Sequence, residues 1–596
     1  MKEIIRILTP SELKILMAMA IGSLILAVFE AFGIGILLPI LDLFINEEKV
    51  YSATGLNWAY RFSGAESPKM FIVYIAGLAC FVFVLKSVYS IGMVYFQHFA
   101  IAKIYQRLTS HVLKAYLDES YEFHLENNSS SLFKNISIEV GNFTNGYLQI
   151  LVTSFGEILV LFAILSLLFY MYPFITCFLF LGLLLLFVTF YFTVRRRIKN
   201  YSISREKHSS LMFQAAQEPL NSIKEVKVFK ASKIFLNRFD TSVTAYSNSF
   251  VKFSTISAFP RYIMETILFV SMLLVVIFNV MTGSDATAII PTMLIFGVAA
   301  IRMLPSLFKI YSSINSFQFY SNSLDIVLSI LNNVKSGGNN NKLSEKLSDI
   351  QTQELKLDSI FFKYKNSHKW IFQDLSLEIP FFKSVAFVGE SGAGKSTLVD
   401  VIIGLLEPEK GIISFGGICI DTKNKKSFLD RIGYVPQEIT LIDDTLEANI
   451  AFGLTGDEID KNRVQEVIHM ARLDAFVKEL PKGVNTKVGE RGARLSGGQR
   501  QRVGIARALY KRPEVLIFDE ATSALDSKTE EEISETIDTL KGTLTIIIIA
   551  HRLSTIKNVD QIFVLDSGKI IDSGSFSDLI ERSEHFRNMV NRQMIS

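Results

Sequence analysis

The chain has 596 residues, of which 49% are hydrophobic and only 20% are charged. This length and this apolar content are too great for one soluble domain, so we expect a membrane part. The formal net charge of +3 is small and the basic residues are clustered, which argues against nucleic acid as a partner. The three cysteines show no paired spacing, so neither a disulfide framework nor a metal site is implied.

Six apolar stretches occupy the first 330 residues, and each is long enough to cross a bilayer. Basic residues precede the first stretch and follow the fourth, at 195–199, which predicts that both termini lie in the cytoplasm. The first stretch is longer than a signal-peptide core and has no small-residue cleavage site, so we expect no cleaved leader. The stretches are 13–45, 70–100, 145–172, 174–194, 255–281 and 286–310.

The polar segments 101–144 and 195–254 keep a helical pattern, so we expect them to extend the spans as helices into the cytoplasm. Residues 332–346 are rich in Gly, Asn and Lys, a composition typical of a linker. The predicted regions are therefore a transmembrane domain at 1–330, a linker at 331–350 and a second domain at 351–596.

Several charged residues lie inside the predicted spans, where an ion at mid-membrane costs roughly 2.5–3.5 kcal/mol. Glu30 and Lys86 fall at similar depth on consecutive antiparallel spans and can form a structural ion pair. Arg261 and Glu265 are four residues apart and can satisfy each other. Alternatively, Lys86, Arg261 and Arg302 line a cavity on the cytoplasmic side and bind an anionic head group, since arginine suits phosphate. The charged positions are Glu30, Lys86, Glu157, Arg261, Glu265 and Arg302.

The second domain contains a phosphate-binding loop. Residues 389–396 read GESGAGKS and fit G-x-x-x-x-G-K-[ST], a loop between a strand and a helix that cradles phosphates with its backbone amides. A nucleotide with Mg²⁺ is therefore the expected ligand. The predicted cofactor-binding positions of this loop are Gly389, Glu390, Ser391, Gly392, Ala393, Gly394, Lys395, Ser396 and Thr397.

Two further elements follow about a hundred residues downstream. The apolar run 515–518 is typical of a buried strand and ends in Asp519 and Glu520. Asp519 can reach the magnesium that Ser396 also holds, and Glu520 can polarise the attacking water. A Gly-rich turn at 495–499 starts a predicted helix, and its serine hydroxyl and amides suit a terminal phosphate. The residues of this turn that we expect to bind are Ser496, Gly497, Gly498 and Gln499.

With these parts in this order, the chain resembles an ABC-transporter ATPase domain. The resemblance implies a six-span α-helical bundle of exporter type fused to an α/β P-loop ATPase domain. It also implies a homodimer in which the serine–glycine turn of one copy closes over the ATP held by the phosphate loop of the other. The resemblance gives catalytic roles to Glu520, Gln437 and His551 and makes Gln437 a third Mg²⁺ ligand beside Ser396 and Asp519. Other matching positions are Tyr364, which would stack on adenine, Glu490 in a loop facing the membrane domain, and Asp526.

The membrane half is similar to a narrower group of exporters. FEAFGIGILLPIL in the first span, FPRYIME in the fifth and AIRMLPS in the sixth resemble bacterial flippases of undecaprenyl-pyrophosphate-linked oligosaccharides for protein glycosylation. The resemblance implies ATP-driven flipping of an anionic lipid-linked oligosaccharide across the inner membrane, with Lys86, Arg261 and Arg302 facing the cavity. Lys86 departs from the group, in which arginine is expected. Export of a lipid A-like lipid, a drug or a peptide by the same scaffold is the alternative.

The exporter resemblance also implies short transverse helices near 121–128 and 211–223 that dock on the ATPase domains. The loop between the first two spans would form a short interfacial helix that engages the lipid tail, although aromatic-belt anchoring explains it as well. The residues of this loop that carry the expectation are Leu56, Trp58, Tyr60 and Phe62.

A protein of another class could share this outline, namely a channel or regulator that ATP gates without pumping. Degenerate catalytic positions would point to that class. Lys395, Glu520 and His551 are all present, so we expect a pump.

Overall fold

The computed structural model describes residues 2–45, 49–52, 54–171, 173–281, 286–337, 354–520, 527–550 and 553–595. These residues form two compact units. One comprises Met1–Glu119 and Glu126–Gly337, and the other comprises Ser120–Leu125 and Gly338–Ser596. The predicted linker at 331–350 begins inside a helix that runs through Gly337, and its remainder lies outside the described residues.

Long helices dominate the N-terminal part of the chain. The helices are α1 (Lys2–Ile7), α2 (Pro10–Ile45), α3 (Lys49–Ser52), α4 (Thr54–Ser63), α5 (Pro68–Leu117), α6 (Tyr121–Glu126), α7 (Ser129–Lys134), α8 (Gln149–Met171), α9 (Pro173–Asn221), α10 (Ile223–Val228), α11 (Ser232–Met281) and α12 (Ala286–Gly337). α5 has 50 residues and α12 has 52, so each is about 75 Å long, more than twice the ~30 Å hydrocarbon core of a bilayer. Within the predicted polar segments 101–144 and 195–254, α5, α9 and α11 are each continuous with a predicted span, and the cytoplasmic location of these segments stays a prediction.

Three helical stretches in the described part of the chain are long and apolar enough to cross a membrane, namely Pro10–Gly33, Pro68–Leu117 and Ser129–Tyr170. The other three predicted spans coincide with α9, α11 and α12, and the count of six stays a prediction. Local sequence explains where the second span begins. Ser67 caps α5 by accepting a hydrogen bond at 3.3 Å from the Met70 amide, and Pro68 occupies the first helical position.

Two short helices, α6 and α10, lie in or next to the two segments that we expect to dock on the ATPase domains. α6 lies within the predicted range 121–128. The second predicted range, 211–223, is placed too early, because α9 continues to Asn221 and the short helix is α10. Pro219 does not end α9; the chain leaves helical geometry at Ser222, with φ −113° and ψ 38°.

The loop between the first two predicted spans contains the expected short helix, α4. Tyr60 packs edge-on against the buried Phe71, with ring centroids 5.3 Å apart. Trp58 and Phe62 stack on each other at 5.5 Å and are 69% and 82% exposed. The helix is therefore amphipathic, with one face packed on the bundle and an aromatic pair on the other.

The C-terminal unit is built on two sheets. Its strands are β1 (Glu354–Phe362), β2 (Phe372–Pro380), β3 (Ser384–Val388), β4 (Lys410–Phe415), β5 (Ile418–Cys419), β6 (Ile432–Val435), β7 (Val515–Asp519), β8 (Thr545–Ile549), β9 (Gln561–Asp566) and β10 (Lys569–Gly574). Its helices are α13 (Lys395–Ile402), α14 (Lys425–Leu429), α15 (Leu446–Ile450), α16 (Lys461–Met470), α17 (Asp474–Glu479), α18 (Gly497–Tyr510), α19 (Ser527–Leu540), α20 (Leu553–Ile556), α21 (Phe576–Arg582) and α22 (Glu584–Ile595). The antiparallel sheet has the order β2-β1-β4-β5, and the six-stranded sheet has the order β10-β9-β3-β8-β7-β6.

The six-stranded sheet separates two apolar cores. In β7, Leu516 and Phe518 belong to one core, whereas Val515 and Ile517 belong to the other, since successive side chains point to opposite faces. β9, β3, β8, β7 and β6 are parallel, so their carboxyl ends meet at one edge. The loop after β3 and the acidic pair after β7 are thereby brought to the same edge of the sheet.

A largely buried cluster of charges, in which Glu206 alone is partly exposed, lies among the helices of the N-terminal unit. Glu139 is 0% exposed, and its carboxylate lies 3.6 Å from Lys134 Nζ and 3.8 Å from an Nη of Arg205. The Ser323 hydroxyl donates to Glu139 at 2.5 Å, and Glu206 lies 3.5 Å from Lys134. We call these five residues the buried ion cluster. It joins α7, α9 and α12 to a π-helical segment at Asn135–Glu139.

Candidate functional site

The phosphate-binding loop leaves the carboxyl end of β3 and enters α13. Its glycines are required by the geometry. A Cβ on Gly389 would lie 2.2 Å from the carbonyl oxygen of Leu565, and Gly394 has a φ of 101°. The loop therefore approaches β9 closely and presents backbone N–H groups at the start of α13, where the first turn of a helix has donors to spare.

Lys395 is held inside this loop. Its side chain is 5% exposed, and Nζ donates to the carbonyl oxygens of Gly389 and Glu390 at 2.9 and 3.1 Å. Burial lowers the pKa of Lys395, whereas the carboxylates of Glu520 and Asp519 act in the opposite direction. The structure thus brings the predicted phosphate-binding ammonium into the electrostatic range of Glu520, predicted to be catalytic, and of Asp519, predicted to bind Mg²⁺.

The hydroxyl groups after the lysine lie on the first turn of α13. Ser396 is exposed, whereas Thr397 is half-buried, with its Oγ1 3.3 Å from the hydroxyl of Tyr364. Tyr364 packs edge-on against Phe362, with ring centroids 5.2 Å apart. The predicted adenine-stacking tyrosine therefore lies beside the phosphate-loop helix, and its stacking role stays a prediction.

The acidic pair at the end of β7 meets the glutamine that follows β6. Gln437 Nε2 donates to Glu520 Oε2 at 2.8 Å, and the Tyr434 hydroxyl donates to Asp519 Oδ2 at 3.1 Å. Glu520 has a positive φ of 48°, which turns the chain sharply after the strand. Three residues predicted to act together are therefore adjacent, and the amide of Gln437 fixes the orientation of the Glu520 carboxylate.

Three residues of this site were not among the predicted ones. Tyr434 pairs in register with Ile517 on the neighbouring strand, two residues before Asp519. Asp400 is four residues after Ser396 on α13. Its pKa is raised to about 6, mainly by burial and to a smaller extent by the negative charge of Asp519. Tyr121 of α6 lies close enough that burial, with Asp400, Tyr364 and Asp519, raises its pKa. Helical spacing from the phosphate loop could have found Asp400, whereas only the fold brings Tyr121 to this place.

Asp400→Asn is expected to stabilise the nucleotide-free protein at neutral pH and much less at acidic pH. The folded-state pKa is raised from 3.8 to about 6, so the destabilisation by the charged form is absent below about pH 4, grows between pH 4 and pH 6 and is complete above pH 6. Two pH units correspond to roughly 3 kcal/mol for a fully buried group, and for this half-buried side chain we expect about 1–2 kcal/mol. Thermal unfolding at pH 4.5 and pH 8 measures the difference.

Asp430→Asn is the matched control for this measurement, because Asp430 is 61% exposed and pairs with Lys511 at the surface. Its effect should be small and nearly the same at both pH values. A stability gain of Asp400→Asn that is equal at pH 4.5 and pH 8 would show that Asp400 is not buried as a titrating carboxyl group.

The Gly-rich turn caps α18. Ser496 Oγ accepts a hydrogen bond from the Gln499 amide at 3.2 Å, and the Ser496 amide donates to Gln499 Oε1 at 2.8 Å. Ser496 and Gly497 are exposed, and Gly498 completes the first turn of this 14-residue helix. The start of α18 is therefore accessible to an anion from outside the protomer, as the predicted dimer requires.

The donor set of this site fits ATP with Mg²⁺. The exposed Ser396 hydroxyl, the Gln437 amide and the Asp519 carboxylate are oxygen ligands of the kind that magnesium prefers. A Cβ on Gly394 would lie 3.1 Å from Phe372, and the φ of 101° would strain any other residue, so a side chain at this position of the cradle is unfavourable. Glu490 lies in a 3₁₀ turn at Glu490–Gly492, whereas His551 and Asp526 lie outside the described residues, and their predicted roles stay predictions.

The N-terminal unit contains a cavity of about 740 Å³ between α2, α5, α8 and α12. Glu30 and Arg302 line it, with Arg302 Nη1 3.5 Å from Glu30 Oε1. Lys86 is 7% exposed and its Nζ lies 2.5 Å from the same Glu30 oxygen. Lys86 and Glu30 thus have the geometry of a structural ion pair, and Lys86 is not among the described residues that line the cavity.

A second charged pair lines the same cavity and was not predicted. Lys309 Nζ lies 2.5 Å from Glu157 Oε1, and the Ser306 hydroxyl donates to Glu157 Oε2 at 2.7 Å. Residues 302, 306 and 309 lie on one face of α12. Helical spacing could therefore have predicted that Lys309 faces the same cavity as Arg302. The third predicted cation, Arg261, is exposed and its guanidinium lies 5.9 Å from the ring centre of Phe308.

The predicted pairing of Arg261 with Glu265 does not form in the structure. Both residues are described, and no ion pair is recorded between them. Of the three predicted cavity cations, Arg302 is among the described residues that line this cavity and Lys86 and Arg261 are not. The role of all three in binding a substrate stays a prediction.

Comparisons with known proteins agree with this geometry. The family profile "ABC transporter" matches residues 372–523, and "ABC transporter transmembrane region" matches residues 16–302. The chain is 34% identical over 379 residues to an ATP-dependent lipid A-core flippase of Saccharophagus degradans, an alignment that covers 63% of each chain. It is 30% identical over 403 residues to a protein of Rickettsia typhi named as an export ATP-binding/permease protein, covering 67% of this chain and 69% of that relative.

A solved structure of a bacterial Atm1-family ABC exporter with ATP bound has the same fold. The TM-score is 0.77 at 24% sequence identity, and the superposition covers 97% of this chain and 98% of the other. The chain spans less than two thirds of the length of the flippase relative, so that protein's activity does not pass to this chain by alignment alone.

Proposed function

The chain belongs to the ABC transporter family, and from that premise we propose that it uses ATP hydrolysis to move an amphipathic anionic lipid across a bacterial inner membrane. The observation that carries the proposal is the joint placement of Lys395, Asp519, Glu520 and Gln437 at one edge of the sheet. This is the arrangement that phosphoryl transfer to water requires, since positioning and charge stabilisation supply most of the catalysis.

Each residue of the site has a step that its geometry supports. The amides of the phosphate loop and the Lys395 ammonium bind the β- and γ-phosphates. Ser396, Gln437 and Asp519 would hold Mg²⁺, which neutralises the charge that develops on the phosphates. Glu520, oriented by Gln437 at 2.8 Å, accepts the proton of the attacking water.

The working unit in this proposal is a homodimer. The exposed start of α18 needs a phosphate from another copy to act as a donor site. The segment between α9 and α11 is also consistent with binding to a second copy, because three of its apolar side chains are exposed. Leu220, Val228 and Phe229 are 72%, 67% and 77% exposed. Apolar side chains clustered on a segment in this way mark an interaction surface.

The cavity supports an anionic head group as the substrate's recognised part. Arg302 is 43% exposed and pairs with Glu30, and Lys309 is 58% exposed and pairs with Glu157. Each cation therefore remains accessible from the cavity. The similarity to lipid A-core flippases favours a lipid of that type over the lipid-linked oligosaccharide that the short membrane motifs indicate. The oligosaccharide remains the second candidate on the strength of those motifs.

The membrane orientation follows from the basic residues. Lys2 and Arg6 precede the first span, and the group at 195–199 follows the fourth, so we place both termini in the cytoplasm, where ATP is present.

Arg302→Ala is expected to lower transport of an anionic glycolipid about 10-fold or more. A hydrogen bond to a charged group contributes about 1.5–3 kcal/mol, and loss of the guanidinium removes one. The fold should persist because Glu30 keeps Lys86 as its partner at 2.5 Å. ATP-dependent flipping of a fluorescent lipid A-core glycolipid, and separately of a polyprenyl-pyrophosphate oligosaccharide, in proteoliposomes measures the effect and identifies the substrate.

Arg196→Ala is the matched control, because Arg196 is an exposed arginine on α9 outside the cavity. Transport should be unchanged in this variant. Undiminished flipping of both lipids by Arg302→Ala would contradict the role of the cavity, and failure of the wild-type protein to move either lipid would contradict the proposed substrate class.

A further inference from the structure

We infer that the cytoplasmic end of the α2–α5 pair holds the head group of an anionic phospholipid, at a site separate from the transport cavity. The observation is a second cavity of about 600 Å³ between the junction of α1 with α2 and the lower part of α5. The inference rests on the membrane orientation proposed above. It does not depend on which lipid is transported.

The cavity lies at the depth of the lipid head groups. The second predicted span ends near residue 100, so Lys103 and Arg107 lie about 5 and 10 Å beyond it along α5. On α2, Glu12 directly precedes the first predicted span. Each head-group layer of a bilayer is roughly 5–8 Å thick, so Lys103 and Glu12 lie in that layer on the cytoplasmic side and Arg107 lies at its outer edge.

The charges of the cavity favour an anion. Arg107 donates from Nε and Nη2 to the two oxygens of Glu12 at 2.6 and 2.8 Å, and Nη2 also donates to the Ile7 carbonyl oxygen at 3.0 Å. These bonds fix Arg107 and balance Glu12. Lys103 is exposed, and among the described residues its recorded contact is the ring of Phe99, 4.7 Å away. Lys103 therefore leaves the cavity with one net positive charge.

The surroundings of Lys103 favour a lipid over a free ion. Phe99 and Tyr95 precede Lys103 by one and two turns, stack on each other at 6.2 Å and are 47% and 72% exposed. This stripe leads from the cavity towards the membrane centre, as interfacial aromatic residues do. Ile15 and Ala100 line the cavity on its apolar side. A phospholipid has the same order of groups, with an anionic head and apolar chains, whereas free phosphate matches only one end.

Anionic lipids are also the expected source of charge in this layer. The cytoplasmic leaflet carries them, and each lysine near its surface adds about 1 kcal/mol of attraction, which equals about a fivefold change in affinity. The Ser110 hydroxyl lines the polar end and can donate to a phosphate oxygen.

The test is binding of phosphatidylglycerol to the purified full-length protein, measured by native mass spectrometry, with phosphatidylcholine as the neutral comparison. We expect Lys103→Gln to weaken phosphatidylglycerol binding about 10-fold or more, because the variant loses a charge-assisted hydrogen bond to the head group that the surface lysine Lys199 does not make. Lys199→Gln is the control, because Lys199 is an exposed lysine just beyond the inner end of the fourth predicted span. It should bind phosphatidylglycerol as the wild type does.

Three results would overturn the inference. Equal losses of phosphatidylglycerol binding in Lys103→Gln and Lys199→Gln would indicate general attraction to the protein surface. Equal binding of phosphatidylglycerol and phosphatidylcholine would show that the site does not recognise the charge of the head group. Displacement of bound phosphatidylglycerol by millimolar inorganic phosphate would indicate a site for a free anion. Because the readout is binding, a failed transport assay would leave this result unaffected, and the converse also holds.

Discussion

Replacement of Glu520 by glutamine is expected to lower ATP hydrolysis by about 10²–10⁴-fold while nucleotide binding is retained, since this is the usual contribution of a general base. The substitution removes the carboxylate that accepts the proton and keeps the size of the side chain. Gln437 can still donate to the oxygen at position 520, so the turn after β7 should keep its shape. Phosphate release at saturating MgATP measures turnover, and a nucleotide-binding assay on the same sample measures retention.

Glu514→Gln is the control for this variant. Glu514 directly precedes β7 and pairs at 3.0 Å with Arg431, and its side chain is 46% exposed. Its loss should leave turnover within about twofold of the wild type, because exposed pairs contribute little. Turnover of Glu520→Gln in that same range would remove Glu520 from the proposed catalytic step, and loss of nucleotide binding would show that the carboxylate is structural.

Glu139→Ala is expected to destabilise the N-terminal unit by about 3–5 kcal/mol, the usual cost of removing one partner from a buried ion pair. Lys134 and Arg205 are 1% and 2% exposed, and the substitution leaves one of the two positive charges without compensation. Glu206 lies 3.5 Å from Lys134 and can balance that charge, so Arg205 is the residue left in deficit. Thermal unfolding of the purified protein should show a midpoint about 6–10 °C lower.

Glu218→Ala is the comparison for the buried ion cluster, because Glu218 lies 3.7 Å from Arg238 in a pair that is 42% and 65% exposed. Its midpoint should move by less than about 2 °C. A shift of Glu139→Ala as small as this would mean that water or a rearranged Arg205 side chain satisfies the cluster, and the cluster would then not be a source of stability.

The parts of the fold that sequence could predict are those with local signals. The runs Val515–Phe518 and Ile546–Ile549 are apolar at every position, which is typical of central parallel strands, and they lie in β7 and β8. The phosphate loop and the serine–glycine turn each depend on glycines and hydroxyls next to one another in the chain. Their order predicted the nucleotide site, and the structure places Lys395, Gln437, Asp519 and Glu520 together as expected.

The parts that sequence could not predict depend on contacts between distant segments. Glu139 and Ser323 are 184 residues apart, and nothing in either neighbourhood marks them as partners. Lys86 and Arg302 both carry positive charge in predicted spans, but only packing decides that the first is buried against Glu30 and the second reaches the cavity. The second short helix was expected near 211–223 from the family resemblance, but α9 continues to Asn221 and the short helix is Ile223–Val228.

The C-terminal unit is not one continuous stretch of sequence, since Ser120–Leu125 belongs to it. The amide of Lys365 donates to Glu122 at 3.0 Å and its ammonium lies 3.1 Å from the same carboxylate, across a gap of 243 residues. During synthesis this short piece leaves the ribosome long before the strands it will join, so the unit can be completed only by an element made in advance. Residues 354–595 expressed alone would therefore lack the hydrogen bond and the ion pair that Glu122 makes with Lys365.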